Sequence, residues 1–161
     1  MEKITRYPKT ALCALTIVAA AAASSAAGAQ QGFYFGYGHS PVFYTNEGSG
    51  DIYANSFELG RDIHDTTRMG VYYEQLTANG NSLSIHGVNL TYTALATGDL
   101  MSNVGIMVGN SNDVEMVYDV FGSMQFAVQG NSYLTGKIAY REVPDVNISG
   151  VALTFGLGVG F

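Results

Sequence analysis

The chain has 161 residues, with 7 basic and 13 acidic side chains and a formal net charge of −6. This length is one domain's worth of chain, and the acidic balance argues against nucleic acid, which proteins bind through clustered Lys and Arg. It also argues against a surface that is drawn to anionic lipid headgroups by charge.

The first 29 residues have the pattern of a cleaved secretory signal peptide. Basic residues precede an apolar run over residues 11–23, and small residues ending at Ala29 follow. The run is shorter than the ~20 residues that a membrane-spanning helix needs. We therefore expect residues 1–29 to be removed and residues 30–161 to form a single domain.

Cleavage would leave a mature chain without cysteine, because Cys13 lies in the apolar run. This excludes a disulfide framework, a cysteine metal site and a cysteine nucleophile. Four basic and twelve acidic residues would remain. Export without disulfides fits the envelope of a Gram-negative bacterium.

The mature chain alternates bulky apolar residues with small or polar ones, and no segment repeats with the 3.6-residue period of a helix. The alternation predicts eight strands, most of them near the ~9–11 residues that a tilted strand needs to cross a membrane. They are Gly32–His39, Asp51–Arg61, Met69–Thr77, Ser82–Ala94, Met101–Asn110, Met116–Gln129, Ser132–Arg141 and Ile148–Phe161.

The breaks between strands carry Gly, Asn, Asp and Pro, which are turn residues. The strands should close into a ring, because an open edge in hydrocarbon leaves backbone groups unpaired. With an even number of strands both termini then lie on the same side, the periplasm. The outer loops are then 40–50, 78–81, 111–115 and 142–147. The periplasmic turns are 62–68, 95–100 and the turn at Gly130.

The bulky apolar face holds more large side chains than the interior of an eight-stranded barrel can accommodate. We therefore expect this face to meet lipid, with tyrosines near the strand ends, and the small or polar face to fill the lumen. The fold class is an all-β, eight-stranded, antiparallel up-and-down transmembrane β-barrel. A soluble barrel that binds an apolar ligand is the alternative.

The last strand ends in Phe155, Leu157, Val159 and Phe161 at every second position. Together with the signal peptide and the glycine-rich strands, this ending makes the chain resemble the small eight-stranded outer-membrane barrels of the OmpA membrane-domain, OmpX and opacity-protein kind. The resemblance implies the outer membrane as location, with the bilayer and lipopolysaccharide as surroundings. It also implies that the terminal motif is a signal for the barrel assembly machinery.

Charged residues on the inward face form the most informative polar group. They are Glu58, Glu74, Asp119, Lys137 and Arg141. A three-residue loop at 129–131 would set Asp119 opposite Arg141, and Lys137 opposite Ser123. Buried charges must be paired, so we interpret the group as a plug of salt bridges. A narrow or gated pore is the alternative.

The candidate catalytic residues are Ser84 and His86, which both point outward on the fourth strand. A lipid A hydrolase or acyltransferase would also need a carboxylate to orient the histidine, and no acid is expected on an adjacent strand. His39, at a predicted strand end, and His64 are too far apart for a zinc site. We expect a non-enzymatic, monomeric barrel without cofactor or metal.

Overall fold

The computed structural model describes residues 32–46, 52–111 and 116–161. The predicted signal peptide, including Cys13, lies outside the described residues. So do residues 112–115 of the predicted outer loop 111–115.

The chain folds into eight antiparallel strands that close into a barrel in sequence order, from β1 next to β2 through to β8 next to β1. The predicted fold class is therefore confirmed. The strands are β1 (Phe33–Thr45), β2 (Ile52–His64), β3 (Thr67–Ala78), β4 (Asn81–Thr97), β5 (Leu100–Ser111), β6 (Val117–Gln129), β7 (Ser132–Val143) and β8 (Ile148–Gly160). A short 3-10 helix, Pro144–Val146, connects β7 to β8.

The barrel has two distinct ends. The start of β1 and the end of β8 lie at one of them, which we call the terminal end, together with three tight turns at residues 65–66, 98–99 and 130–131. The opposite distal end carries the connections after β1, β3, β5 and β7. No helix among the described residues is long and apolar enough to cross a membrane.

The first strand is longer than its sequence pattern predicts. The prediction ended it at His39 and assigned residues 40–50 to a loop, whereas β1 continues to Thr45. Its pairing with β8 shifts register between His39 and Val42, where Pro41 has no backbone N–H to donate. Such a bulge changes which residues point inward, so Ser40 and Phe43 are both buried.

The connection between β6 and β7 also differs from the prediction. The expected three-residue loop is a two-residue turn, Gly130-Asn131, followed at once by Ser132 on β7. A register shift between Ala127 and Gln129 restores the predicted alignment, so Asp119 pairs with Arg141 and Ser123 with Lys137. That alignment is confirmed although the loop length behind it was wrong.

The strands are strongly staggered around the ring. A path along directly paired residues starts at Leu100 on β5, passes Leu157 on β8 and Tyr73 on β3, and returns to β5 at Asn110, ten residues further on. In a closed barrel this stagger requires the strands to tilt, typically by ~35–45° from the barrel axis. A neighbour on the next strand therefore lies at a different height along the axis.

The two faces of the barrel wall separate by residue type, as predicted. Large apolar side chains cover the outside, and Val120 is 62% exposed and Ile138 57% exposed. Small, polar and charged residues lie on the inner face, where Ser56, Asn103 and Thr154 are buried.

The distal half of the lumen is packed with apolar side chains. Tyr72, Ile85, Met107 and Val117 form one buried cluster, with Leu83 and Val143 against it. Phe43, Ala54 and Ala152 form a second cluster, with Ile52 and Leu76 against it. Ile85 is only 1% exposed and Val117 0%, so these side chains close the distal end of the lumen.

Two lumen glycines make room for aromatic rings that lie flat against the barrel wall. A Cβ on Gly158 would overlap the ring of Tyr133, and a Cβ on Gly105 would overlap the ring of Phe121. Tyr133 and Phe121 are both buried. These glycines therefore serve close packing between strands rather than a turn.

Candidate functional site

The centre of the lumen holds an arginine between two carboxylates. Arg141 on β7 donates from Nε to Oδ1 of Asp119 on β6, and from Nη2 to Oδ2, at 2.7 Å each. It also donates from Nη1 and Nη2 to the carboxylate of Glu74 on β3, the second bond at 3.2 Å. All three residues are buried, so one guanidinium is shared by two buried acids.

The bond between Arg141 and Glu74 crosses the barrel. In a ring of eight strands β3 and β7 are four strands apart, so they lie on opposite walls. Tyr72, also on β3, donates its hydroxyl to Glu74 and fixes that carboxylate from its own side. The ring of Phe43 on β1 packs beneath the guanidinium, 5.9 Å from its centre. The lumen is therefore bridged from wall to wall.

The other two residues of the predicted charged group make different contacts. Glu58 on β2 accepts a bond from the hydroxyl of Tyr34 on β1. The Lys137 ammonium lies over two aromatic rings, 5.2 Å from the centre of Tyr72 and 5.3 Å from that of Phe121. Of the five residues, the structure thus joins Glu74, Asp119 and Arg141 and places Glu58 and Lys137 nearer the terminal end.

A second arginine, Arg68, also belongs to the lumen, although its sequence pattern predicts a loop. Arg68 was assigned to a periplasmic loop at 62–68, but β3 begins at Thr67. Its Nε donates to Asp62 at 2.8 Å and its Nη1 to Gln125 on β6 at 3.0 Å. Its guanidinium also lies over the ring of Tyr34, 5.4 Å from the centre.

The sequence does contain one indication of the buried carboxylates, which is the presence of tyrosines on the inward face. Tyr34, Tyr72 and Tyr133 stand on the inward face, among small and polar residues, and all three are buried. A buried tyrosine needs a partner for its hydroxyl. Inward tyrosines could therefore have pointed to carboxylates beside them, as Tyr34 does for Glu58 and Tyr72 for Glu74.

A cavity of about 70 Å³ remains in the half of the lumen toward the terminal end. Polar and charged side chains line it, including Ser56, Glu58, Arg68, Ser123 and Lys137. A volume of this size holds a few water molecules at most. Arg141, Glu74 and Asp119 are not among its lining residues.

The predicted catalytic pair lies on the outer wall. Ser84 and His86 both face outward on β4, because Ile85 between them is buried in the lumen. Tyr73 on β3 touches both: its hydroxyl is 3.4 Å from Ser84 Oγ, and its ring centre is 5.1 Å from that of His86. The neighbouring outward residue on β3 is Gln75, paired with Ser84, where a triad would need an acid.

Metal ligation finds no support within residues 32–46, 52–111 and 116–161, where no group of three His, Cys, Asp or Glu side chains could hold an ion. His39 was predicted at a strand end but lies in the middle of β1, facing outward. Its Nδ1 donates to Oδ1 of Asn55 at 2.9 Å.

No family model matches the sequence, and no curated protein matches it either. Solved structures do match its fold. Neisserial surface protein A aligns over 81% of this chain and 97% of its own, with 14% identity and a TM-score of 0.65. A de novo designed transmembrane β-barrel aligns over 80% and 95%, with 13% identity and a TM-score of 0.60. At these identities the likeness shows the fold, that of a small transmembrane β-barrel.

Proposed function

We propose that this protein is a non-enzymatic, monomeric outer-membrane barrel whose lumen is filled by side chains. Three observations support it. Large apolar side chains cover the outer wall, the lumen is closed at its distal half, and one chain completes the ring by pairing β1 with β8. Its role is structural or one of surface interaction.

The bond between Arg141 and Glu74 is the observation that carries the proposal. An ion that crosses the lumen must pass between β3 and β7, where these two side chains meet and apolar residues surround them. Separating a buried ion pair costs several kcal/mol, typically ~3–5. A barrel closed in this way is not a porin, because porins have a larger ring of strands that leaves an aqueous channel.

Electrical recording tests the closed lumen. Purified protein, folded in detergent and added to a planar lipid bilayer, should give no unitary conductance steps, whereas a porin added to the same bilayer should. Regular steps from the folded protein would contradict the proposal and favour a narrow or gated pore.

Assembly and orientation are part of the same proposal. The distal end faces the cell exterior and the terminal end faces the periplasm. The bilayer and lipopolysaccharide surround the belt of apolar side chains on the outer wall. The outward side chains of Phe155, Leu157 and Val159, with Phe161, are the segment that the barrel assembly machinery would recognise. Membrane fractionation and a cell-surface accessibility assay of the distal loops test these assignments.

A further inference from the structure

The outer wall carries a row of polar side chains where the rest of the belt is apolar. His39 pairs with Asn55, Asn55 with Gln75, and Gln75 with Ser84, so the row runs across β1, β2, β3 and β4. We call these four residues the polar row. Their chain neighbours Gly38, Ala54, Glu74 and Ile85 are buried in the lumen, and the polar row therefore faces outward.

On β4 the polar row begins where the apolar belt ends. On β8 five alternate outward residues from Val151 to Val159 are apolar. On β4 the outward apolar residues extend from Leu95, past the register shift, to Val88, and His86 and Ser84 follow toward the distal end. At ~3.3 Å per residue the two apolar runs cover ~26 Å and ~23 Å of strand. Polar groups exposed to hydrocarbon are costly, so this side of the wall must meet something polar.

The hydrogen bonds within the row leave groups available for a ligand. Oδ1 of Asn55 accepts from the hydroxyl of Tyr37 and from Nδ1 of His39, both at 2.9 Å. Nδ2 of Asn55 and Nε2 of His39 are not used in these bonds. The side chain of Gln75 is exposed, so it adds an amide that can donate and accept.

Aromatic rings frame the polar row. Phe57 and Tyr73 stack with their centres 6.5 Å apart on the side toward the terminal end. Tyr53 lies on the distal side, with its ring centre 6.4 Å from that of His39. Sugars present C–H faces that pack on aromatic rings and hydroxyls that bond to amides and imidazoles. The combination therefore fits a carbohydrate.

The charges argue against a phosphate as the main ligand. The mature chain has four basic side chains: Arg68, Lys137 and Arg141 lie inside the lumen, and Arg61 lies over the ring of Phe33 at the terminal end. None of them stands beside the polar row. Phosphate recognition relies on such cations, so neutral hydroxyl groups are the better match.

We propose that the polar row and its aromatic frame bind the sugar headgroup of a glycolipid in the outer leaflet. The inference rests on the proposed function, because it places the distal half of the wall in that leaflet. The site is on the outer surface of the barrel, so it is independent of the closed lumen.

The test compares the thermal unfolding of folded protein in three kinds of vesicle. They contain phosphatidylethanolamine and phosphatidylglycerol alone, with a neutral diglycosyl diacylglycerol, or with lipopolysaccharide. A ligand that binds only the folded state raises its unfolding temperature. Wild type should gain several degrees with either glycolipid, read as the temperature at which the compact gel band disappears.

The double variant Asn55→Leu with Gln75→Leu should lose that gain. Ser102→Leu is the matched control, because Ser102 is an outward polar residue near the terminal end of β5, and it should keep the gain. Each gain is measured within one variant, so a change in its basal stability cancels.

An equal gain in the double variant and wild type would overturn the inference. So would a wild-type gain with lipopolysaccharide alone, which would indicate phosphate recognition, or no wild-type gain at all. Failure to insert into every kind of vesicle would contradict the proposed function itself, whereas normal insertion without a glycolipid effect would remove only this site.

Discussion

Arg141 is the residue on which the lumen depends most. Two carboxylates, Glu74 and Asp119, are buried beside it and bind the same guanidinium. A bidentate arginine satisfies both acids in a way that the point charge of a lysine would not. Removing the arginine would leave two buried anions without a counter-ion, which is far more costly than losing an exposed ion pair.

Replacing Arg141 by alanine should therefore lower the free energy of unfolding by about 3–5 kcal/mol or more. Arg68→Ala is the matched control, because its partner Asp62 is 36% exposed and water can replace part of the interaction. We expect a loss of about 1 kcal/mol there. Urea titration of the detergent-folded protein measures both, and equal midpoints would refute the central role of Arg141.

Gly158 is a second residue with a clear packing role. Gly158→Ala places a methyl group against the ring of Tyr133, and overpacking of this kind costs about 1–3 kcal/mol. Gly36→Ala is the control, because Gly36 lies in the lumen on β1 with its nearest contact, the Glu58 Cβ, at 3.8 Å. The unfolding midpoint should fall for Gly158→Ala alone. A fall of the same size in both variants would rule out the ring contact as the cause.

For single residues the sequence predicts whether a side chain points into the lumen, but not which side chain it binds there. Alternation places Glu74, Asp119 and Arg141 on the inward face, and the β6–β7 register sets Asp119 opposite Arg141. The bond to Glu74 depends on the diameter and stagger of the closed ring, which no local pattern contains. The same holds for Arg68, whose partner Gln125 lies on a strand that is not its neighbour.

Six of the eight strands are longer than their alternation indicates. Polar or irregular residues end a pattern, yet backbone pairing continues through them, as it does past Pro41 on β1 and to Thr97 on β4. Register shifts at Thr93/Leu95 and Asp62/His64 absorb the irregular positions. A bulge changes the inward phase, so simple alternation cannot follow a strand beyond it.

The β3–β4 hairpin depends on a turn that the sequence does indicate. Asn79 and Gly80 have φ of 50° and 82°, as both central residues of a type I′ turn require. Gly80→Ala should therefore lower the free energy of unfolding by about 1–2 kcal/mol.

The control for the turn is Gly136→Ala. Gly136 lies within β7 and an added Cβ meets nothing within 4 Å. Its unfolding midpoint in detergent should stay close to wild type. A Gly80→Ala midpoint that also matches wild type would show that the turn does not constrain the hairpin.

The whole molecule is held closed at the contact between β1 and β8. Phe161 and Phe33 exchange two backbone hydrogen bonds of 2.8 Å, and their rings stack with centres 6.2 Å apart. Phe161→Ala should slow insertion into vesicles, because it weakens the last contact of the ring. Leu134→Ala, which removes another exposed apolar side chain of the outer wall, should insert at nearly the wild-type rate. Equal insertion rates for the two variants would show that Phe161 has no special role in closing the ring.

The central claim is that the apolar outer wall lies against lipid. Residues 30–161 contain no cysteine, so single-cysteine variants of this segment can report their own surroundings. Val120→Cys, Ile138→Cys and Leu153→Cys place a thiol on the belt, and Asn131→Cys places one in an exposed turn at the terminal end.

A water-soluble maleimide, applied to the protein inserted in vesicles that are leaky to the reagent, measures which thiols face water. We expect rapid labelling of Asn131→Cys and almost none of the three belt variants until detergent and denaturant are added. Rapid labelling of the belt thiols in intact bilayers, by protein that is folded, would show that the apolar wall meets water and would contradict the account.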